Sequence, residues 1–461
     1  MSELLIMEMI AACVFLPPIA VFLWLSMAIL VGRKPTEAVV VRNCKLAIAT
    51  AFIAALMILI LHPYGMETRV VFGSWFSEGS YHYDIAMQTD LLAIAYGLFS
   101  TLLLYLICSF SQRYLHREPG FYRFYLVLLL FTIGLLLVSF SGSIELLLVG
   151  WELVGLSSIM LIAFFTQRPQ PPQNGLWVFS IYRITDIGLY AAILYLHAFS
   201  ASTLFGEQSS TAWAGIQPHV GAETTALLLI FAVMGKAALF PFCSWLPRAM
   251  EGPTPSSAVF YGALSVHLGP FLLLRMSDLI AGSVLLSTML VLIGALTVLV
   301  GNLSGRVQSD IKGRLSFGAV SQLGFITMEI GLGWVELALV HVITHAVFRT
   351  LLFLRAPSLL HERHHLEQML GHHISLFRPT VERSSRLQRF IYRFSLERGF
   401  LDVLLVDLLT KRFLAIVRRV DRLERGVADF IAKDKRLPPQ SDSEDEVGRV
   451  LFSTSAEESS S

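Results

Sequence analysis

Charge is scarce in this chain. Only 15% of its 461 residues are Asp, Glu, Lys or Arg, while 55% are hydrophobic; soluble globular domains carry about 25% charged residues. The scarcity excludes an ordinary soluble fold and points to a polytopic membrane protein. The net charge is +1, so neither nucleic acid nor an acidic partner is implied. Cysteine is also sparse. Cys13, Cys44, Cys108 and Cys243 lie far apart, in or beside apolar runs. They have no disulfide or metal spacing and are read as small apolar fillers. There is no Cys cluster for an iron–sulfur centre and no Gly-rich nucleotide loop. The chain itself is therefore expected to hold no metal, NADH, flavin or iron–sulfur cofactor. Lys and Arg are missing ahead of the first apolar run, which argues against a cleaved signal peptide. The ten-residue alternation of a membrane β-barrel is missing as well.

What the chain has instead is a series of apolar runs, each long enough to cross about 30 Å of hydrocarbon as a helix. The pattern predicts an all-α, polytopic helix bundle with about 11 spans, at roughly 4–30, 44–63, 91–110, 121–141, 143–165, 177–200, 224–242, 256–274, 279–301, 315–332 and 335–355. Pro17 and Pro18 predict a kink in the first. Basic residues gather in loops of one parity: Arg33, Lys34, Arg42, Lys45, Arg113, Arg117, Arg123, Arg168, Arg248, Arg306, Lys312 and Arg314. The opposite loops hold Arg69 and, at a boundary, Arg275, and residues 201–223 have no Lys or Arg. This bias predicts the N-terminus outside and the C-terminus in the cytoplasm.

The composition divides the chain into three: a transmembrane domain over 1–355, a charged but periodic cytoplasmic segment over 356–435, and a Ser/Asp/Glu-rich tail over 436–461, expected to be disordered. Within the second, Leu409, Phe413, Ile416, Val420, Leu423, Val427 and Phe430 recur at helical steps opposite Lys411, Arg418, Arg419, Arg422 and Arg425. That is an amphipathic helix suited to a membrane surface, a partner or this protein's own cytoplasmic face.

The few charges inside the spans are the informative ones. A charge at bilayer depth costs about 2.5–3.5 kcal/mol on insertion scales unless it is paired or wetted, and such residues usually serve ion or proton movement. The fifth span carries Glu152; the sixth carries Arg183 and Asp186, one turn apart and able to pair. The seventh carries Lys236, followed by Pro241. That proline predicts a break beside the lysine, and broken helices near the midplane expose backbone groups that can face ions or water. His267 lies in the eighth span. His341, His345 and Arg349 form one stripe of the eleventh, and Lys312 and Glu329 bracket the tenth. Acid, base and imidazole groups within reach of one another can pass protons. A structural ion pair for Arg183–Asp186 and a satisfied bundle histidine for His267 are the competing readings.

These residues sit in recognisable words. Gly150-Trp151-Glu152-Leu153-Val154-Gly155-Leu156-Ser157-Ser158, the run from Phe240-Pro241-Phe242 to Glu251-Gly252-Pro253-Thr254-Pro255, Asp310-Ile311-Lys312 with Ser321-Gln322-Leu323-Gly324, and His341 to Leu354 together resemble the antiporter-like chain L (subunit 5) family of NADH:quinone oxidoreductase. The resemblance covers roughly residues 1–360. It implies two inverted five-helix repeats, helices four to eight and nine to thirteen. It also implies a proton path through Glu152, Lys236, His341 and His345, supported by Arg183, Asp186 and Lys312. Membrane subunits of a larger complex are the implied partners, and they would do any redox chemistry. The alternatives are a cation/proton antiporter, with sodium in place of protons, and a two-component inorganic-carbon uptake system with a soluble partner.

Three departures stand out. Tyr261 occupies the place of the family's eighth-helix histidine, and His267 comes six residues later, on another face of an α-helix. Arg349 replaces the family's lysine and cannot deprotonate as lysine does. After the eleventh span the second broken helix is missing, so the second repeat is expected to be incomplete. His361-Glu362-Arg363-His364-His365 matches the letters of a zincin motif, but it directly follows a span in a histidine-rich stretch and is read as coincidence.

Overall fold

The computed structural model describes residues 3–61, 69–78, 81–199, 204–205, 220–308, 310–370, 386–401 and 411–432. The chain divides into two compact units, Met1–Asp402 and Val403–Ser461. The tail 436–461 and the side chains of Tyr261 and of His361 to His365 lie outside the described residues.

The first unit is a bundle. Its long helices are α1 (Glu3–Leu30), α2 (Glu37–Leu61), α3 (Leu91–Tyr114), α4 (Phe121–Ser139), α5 (Ile144–Ile162), α6 (Gln170–Phe199) and α7 (Val220–Lys236). They are followed by α8 (Leu268–Arg275), α9 (Val284–Val307), α10 (Ile311–Gly331), α11 (Val335–Leu370) and the shorter α12 (Arg386–Leu396). Short side chains start several of them. Asp90, Ser143, Ser283 and Asp310 accept hydrogen bonds from the amides of Ala93, Leu146, Leu286 and Gly313, which satisfies donors that the first helical turn leaves free. α1 runs as one helix through Pro17 and Pro18.

Eight described helices are long and apolar enough to cross a membrane. They coincide with eight of the expected spans. The seventh, eighth and tenth fall short: α7 stops at Lys236 after 17 residues, the eighth is broken into pieces, and α10 carries Lys312, Arg314 and Glu329. Apolar side chains such as Leu16, Leu194, Leu292 and Phe348 are exposed on the outer faces, as expected where the neighbour is lipid or another subunit.

One element departs from the all-helical expectation. β1 (Arg69–Glu78) and β2 (Tyr81–Gln88) form an antiparallel hairpin with register shifts at Val71/Gly73 and Ser74/Phe76. Its end is pinned to the turn between α4 and α5, where Gln88 N donates to Phe140 O at 2.9 Å and Gly142 N donates to Ala86 O at 2.8 Å. Irregular strand register blurs the two-residue alternation by which a strand is read from sequence.

The packing of α4 on α5 is repeated by α9 on α10. A Cβ built on Gly150 would lie 2.6 Å from Gly134 O and 2.8 Å from Val138 N. A Cβ on Gly324 would lie 2.7 Å from Gly294 O and 2.9 Å from Val298 N. Each seam thus joins backbone to backbone, with a glycine and a valine one turn apart on one helix and a glycine on the other. Small residues allow this close approach in membranes, where lipid removes the ordinary hydrophobic drive for helix association. The same register aligns Glu152 with Ile326, so the carboxylate belongs to the first pair alone.

In the second unit, α13 (Lys411–Ala432) covers six of the seven apolar positions of the expected amphipathic helix, Leu409 lying outside the described residues. Its Ile416, Val420 and Leu423 are exposed.

Candidate functional site

The break beside Lys236 is real, and the lysine is the last residue of α7. Beyond it Ala238 takes a left-handed φ of 52°, and the chain turns through Pro241 before the short helix Trp245–Arg248. The freed backbone is used. Trp245 Nε1 donates to Gly235 O at 2.8 Å, and Phe240 N donates to Thr297 Oγ1 of α9 at 2.9 Å. Gly235 fits because α6 passes against it; a Cβ there would lie 2.0 Å from Thr185 Oγ1.

Lys236 is fully buried. Its Nζ donates to Trp151 O at 2.9 Å and lies 4.8 Å from the Trp151 ring centroid and 4.6 Å from that of Tyr182. Both rings offer their negative faces to the cation. Gly155 leaves room for the ammonium, since a Cβ there would stand 3.0 Å from Nζ.

Trp151 joins the lysine to the carboxylates. Its Nε1 donates to Asp186 Oδ1 at 2.8 Å. Arg183 Nη2 donates to Asp186 Oδ2 at 3.1 Å, one turn away on α6 as the spacing predicts, and also pairs closely with Glu152 Oε2. Tyr190 OH donates to Glu152 Oε1 at 3.1 Å. Asp186 is buried, whereas the Glu152 and Arg183 side chains retain 23% and 27% exposure. Glu152 and Lys236 therefore stand at opposite ends of one network. The carboxylate nearer the lysine in that network is Asp186.

A second network joins His267, which precedes α8, to α10 and α11. His341 Nδ1 lies 2.9 Å from Glu329 Oε1, and its Nε2 lies 3.0 Å from Gln322 Oε1. One turn on, His345 Nδ1 lies 2.9 Å from His267 Nε2, and Arg349 Nε donates to His345 Nε2 at 3.1 Å. The structure brings His267 to the histidine stripe because the preceding segment is not α-helical. Residues Ser257–Ala263 form a π-helical turn, with Leu264 N bonded to Val259 O at 2.8 Å. This wider winding changes the phase of everything after it. Between the two networks, Ser158 Oγ and Ser265 Oγ are 3.4 Å apart, one helical turn from Gly155 and two residues before His267.

Lys312 stands apart from both. Its Nζ reaches the carbonyls of Met250 and Gly252 at 3.5 and 3.4 Å, tying α10 to the segment after the broken helix. Trp151, Tyr182, Tyr190 and Gln322 are the site residues that reading by charge passes over. They bear no charge, and aromatic or amide groups in an apolar span read as packing.

Residues 141–378 match the family described as "NADH:quinone oxidoreductase/Mrp antiporter, TM". Residues 75–125 match "NADH-Ubiquinone oxidoreductase (complex I), chain 5 N-terminus". The NAD(P)H-quinone oxidoreductase subunit 5 of the Paulinella chromatophora chromatophore is 31% identical over 360 residues, covering 77% of this chain and 52% of the relative. A probable inorganic carbon transporter subunit of Halothiobacillus neapolitanus is 35% identical over 257 residues, covering 55% of this chain and 46% of the relative. Among solved structures, the Mrp complex of Dietzia sp. gives a TM-score of 0.65 at 25% identity, covering 75% of this chain and 37% of the matched one. The chain spans about half the length of the curated relatives it matches.

Proposed function

We infer the function of this chain from its family, the NADH:quinone oxidoreductase/Mrp antiporter transmembrane family, to which it belongs: it is a proton-translocating membrane subunit. Its protons pass through Glu152, Lys236, His341 and His345, with Arg183, Asp186, Lys312, Arg349 and His267 supporting them. The observation that carries this reading is the fully buried Lys236 at a helix break, linked through Trp151 to Asp186, Arg183 and Glu152. A buried ammonium that aromatic faces and a carbonyl can hold, but that no carboxylate among the described residues directly pairs with, is poised to gain and lose a proton as the acidic network shifts. Imidazoles on the far side supply nitrogens that can accept or donate a hydrogen. Ser158 and Ser265, whose hydroxyls lie 3.4 Å apart, are the polar side chains proposed to link the lysine to them. Nitrogen-rich ligation of this kind suits protons better than sodium, which takes oxygen ligands.

In this reading the subunit sits in a bacterial inner membrane, with its N-terminus outside and its C-terminus in the cytoplasm. It works with other membrane subunits that do any redox chemistry. The charged segment over 356–435 is the docking element, α13 laying its apolar face on a partner or on the membrane surface. A second reading, the membrane half of an inorganic-carbon uptake system or antiporter, is favoured by the 35% identity to the probable carbon transporter subunit. Co-purification in mild detergent separates them: redox subunits support the first, one soluble partner the second.

The test of the path is proton flux in vesicles carrying the chain with its co-purified partners. Glu152→Gln keeps size and hydrogen bonding but cannot ionise, so flux should fall to the vesicle leak. Glu152→Asp should retain part of it. If both variants pump as wild type, the charge at 152 has no part in the mechanism.

A further inference from the structure

His267, His345 and Arg349 form a row whose hydrogens are dictated by its two ends. Arginine Nε carries a hydrogen and can only donate, so His345 Nε2, 3.1 Å away, accepts. A carbonyl can only accept, so His267 Nδ1 donates to Ala263 O. A neutral imidazole has one donor nitrogen and one acceptor. His345 Nδ1 therefore donates and His267 Nε2 accepts across their 2.9 Å contact. The two ends are independent, and they meet without conflict. No extra proton fits: on His345 it would set Nε2–H against Arg349 Nε–H, and on His267 it would set Nε2–H against His345 Nδ1–H.

Arg349 is itself seated. Its Nη1 donates to Leu315 O at 3.1 Å. Its guanidinium fills the space over Gly318, where a Cβ would lie 2.6 Å from Nη2. Among the described residues no carboxylate pairs with it.

We propose that Arg349 is a positioning residue that holds His345 Nε2 as a bare acceptor, closing the His345–His267 pair to an added proton until the Arg349–His345 bond opens. A lysine could let go by surrendering its own proton; arginine stays charged. Release must then be mechanical, with the guanidinium leaving its slot over Gly318. The neighbouring proton source is His341, whose ring centroid is 6.2 Å from that of His345 and whose two nitrogens face Glu329 and Gln322. The far end is equally closed, because the carbonyl of Ala263 accepts a hydrogen bond but does not carry a proton onward. The lock takes its functional meaning from the proton-path reading, whereas the tautomers exist whether or not protons move.

The experiment is solid-state NMR of the full chain in bilayers, isotopically labelled at both histidine nitrogens, with His267→Gln and His345→Gln used to assign the signals. In the wild type both imidazoles should carry hydrogen on Nδ1 and none on Nε2. Arg349→Leu removes the donor, and Gly318→Ala displaces it while keeping the arginine. In each, the His345 tautomer stays set through His267, but His345 Nε2 should take up a hydrogen on mild acidification, under which the wild-type Nε2 stays bare. Arg349→Lys should keep His345 Nε2 bare at mildly acidic pH, where lysine is a donor. Should Arg349→Leu fail to accumulate, Gly318→Ala and Arg349→Lys carry the test. Hydrogen on Nε2 of wild-type His345, or an Nε2 that stays bare on acidification in the variants that lose the donor, would overturn the proposal. Absence of proton flux in wild-type vesicles would overturn the path reading and leave these spectra unmoved.

Discussion

Lys236→Met reduces proton flux to the leak of empty vesicles while the protein accumulates at wild-type abundance. Methionine fills the volume beneath the Trp151 and Tyr182 rings and removes a group that is costly at bilayer depth. The carbonyl of Trp151 already belongs to α5, so losing the ammonium strands no backbone acceptor. Lys236→Arg sharpens the result. It keeps a positive charge at the break of α7 but cannot release a proton, so it should pump no better than Lys236→Met. Flux in a membrane-potential-driven vesicle assay, normalised to protein, reads both variants. A working Lys236→Arg would mean that fixed charge suffices and that Lys236 carries no proton.

The second large effect is structural. Gly150→Val places side-chain atoms where Gly134 O and Val138 N already stand. Backbone cannot move aside as a flexible side chain can, and overpacking typically costs about 1–3 kcal/mol and occasionally more. The variant should accumulate poorly, and its thermal midpoint in detergent should fall well below that of the wild type. It should also lose flux, because α5 carries Trp151 and Glu152. Gly426→Ala is the control. Nothing lies within 4 Å of its Cβ, and alanine favours a helix over glycine by about 1 kcal/mol, so stability should hold or rise. Equal stability of Gly150→Val and wild type would remove the seam from the account.

The sequence revealed the charged groups better than their partners. Arg183 and Asp186 pair as their spacing requires, and His345 and Arg349 meet one turn apart, because α-helical periodicity holds through α6 and α11. The stop at Lys236 was legible from Pro241. Glu152 and Lys236, both on the expected path, are joined through Trp151, Asp186 and Arg183. A helical wheel says which residues share a face, but it does not say which helix supplies the next partner. His267 was placed on another face by counting α-helical turns, and the π-helical turn over 257–263 defeats that count. The hairpin escaped notice because its shifted register hides the alternation. The tenth span shows the limit of hydropathy: α10 forms where expected, yet its Lys312, Arg314 and Glu329 keep it below the apolarity of a simple membrane crossing.

The two glycine seams decide where this molecule can deform. A contact made by backbone atoms has no rotamers to readjust, so each seam behaves as a stiff weld: α4 with α5, and α9 with α10. Compliance is left to the stretches that have surrendered regular helix, 237–244 beside Lys236 and 257–267 leading to His267. Those are the stretches that present the lysine and the histidine. Amide hydrogen exchange should therefore be fastest there among the buried segments and slowest along the seams, and uniform protection would contradict it. Two rigid staves with pliant joints at the lysine and the histidine concentrate motion where a proton's presence can be felt.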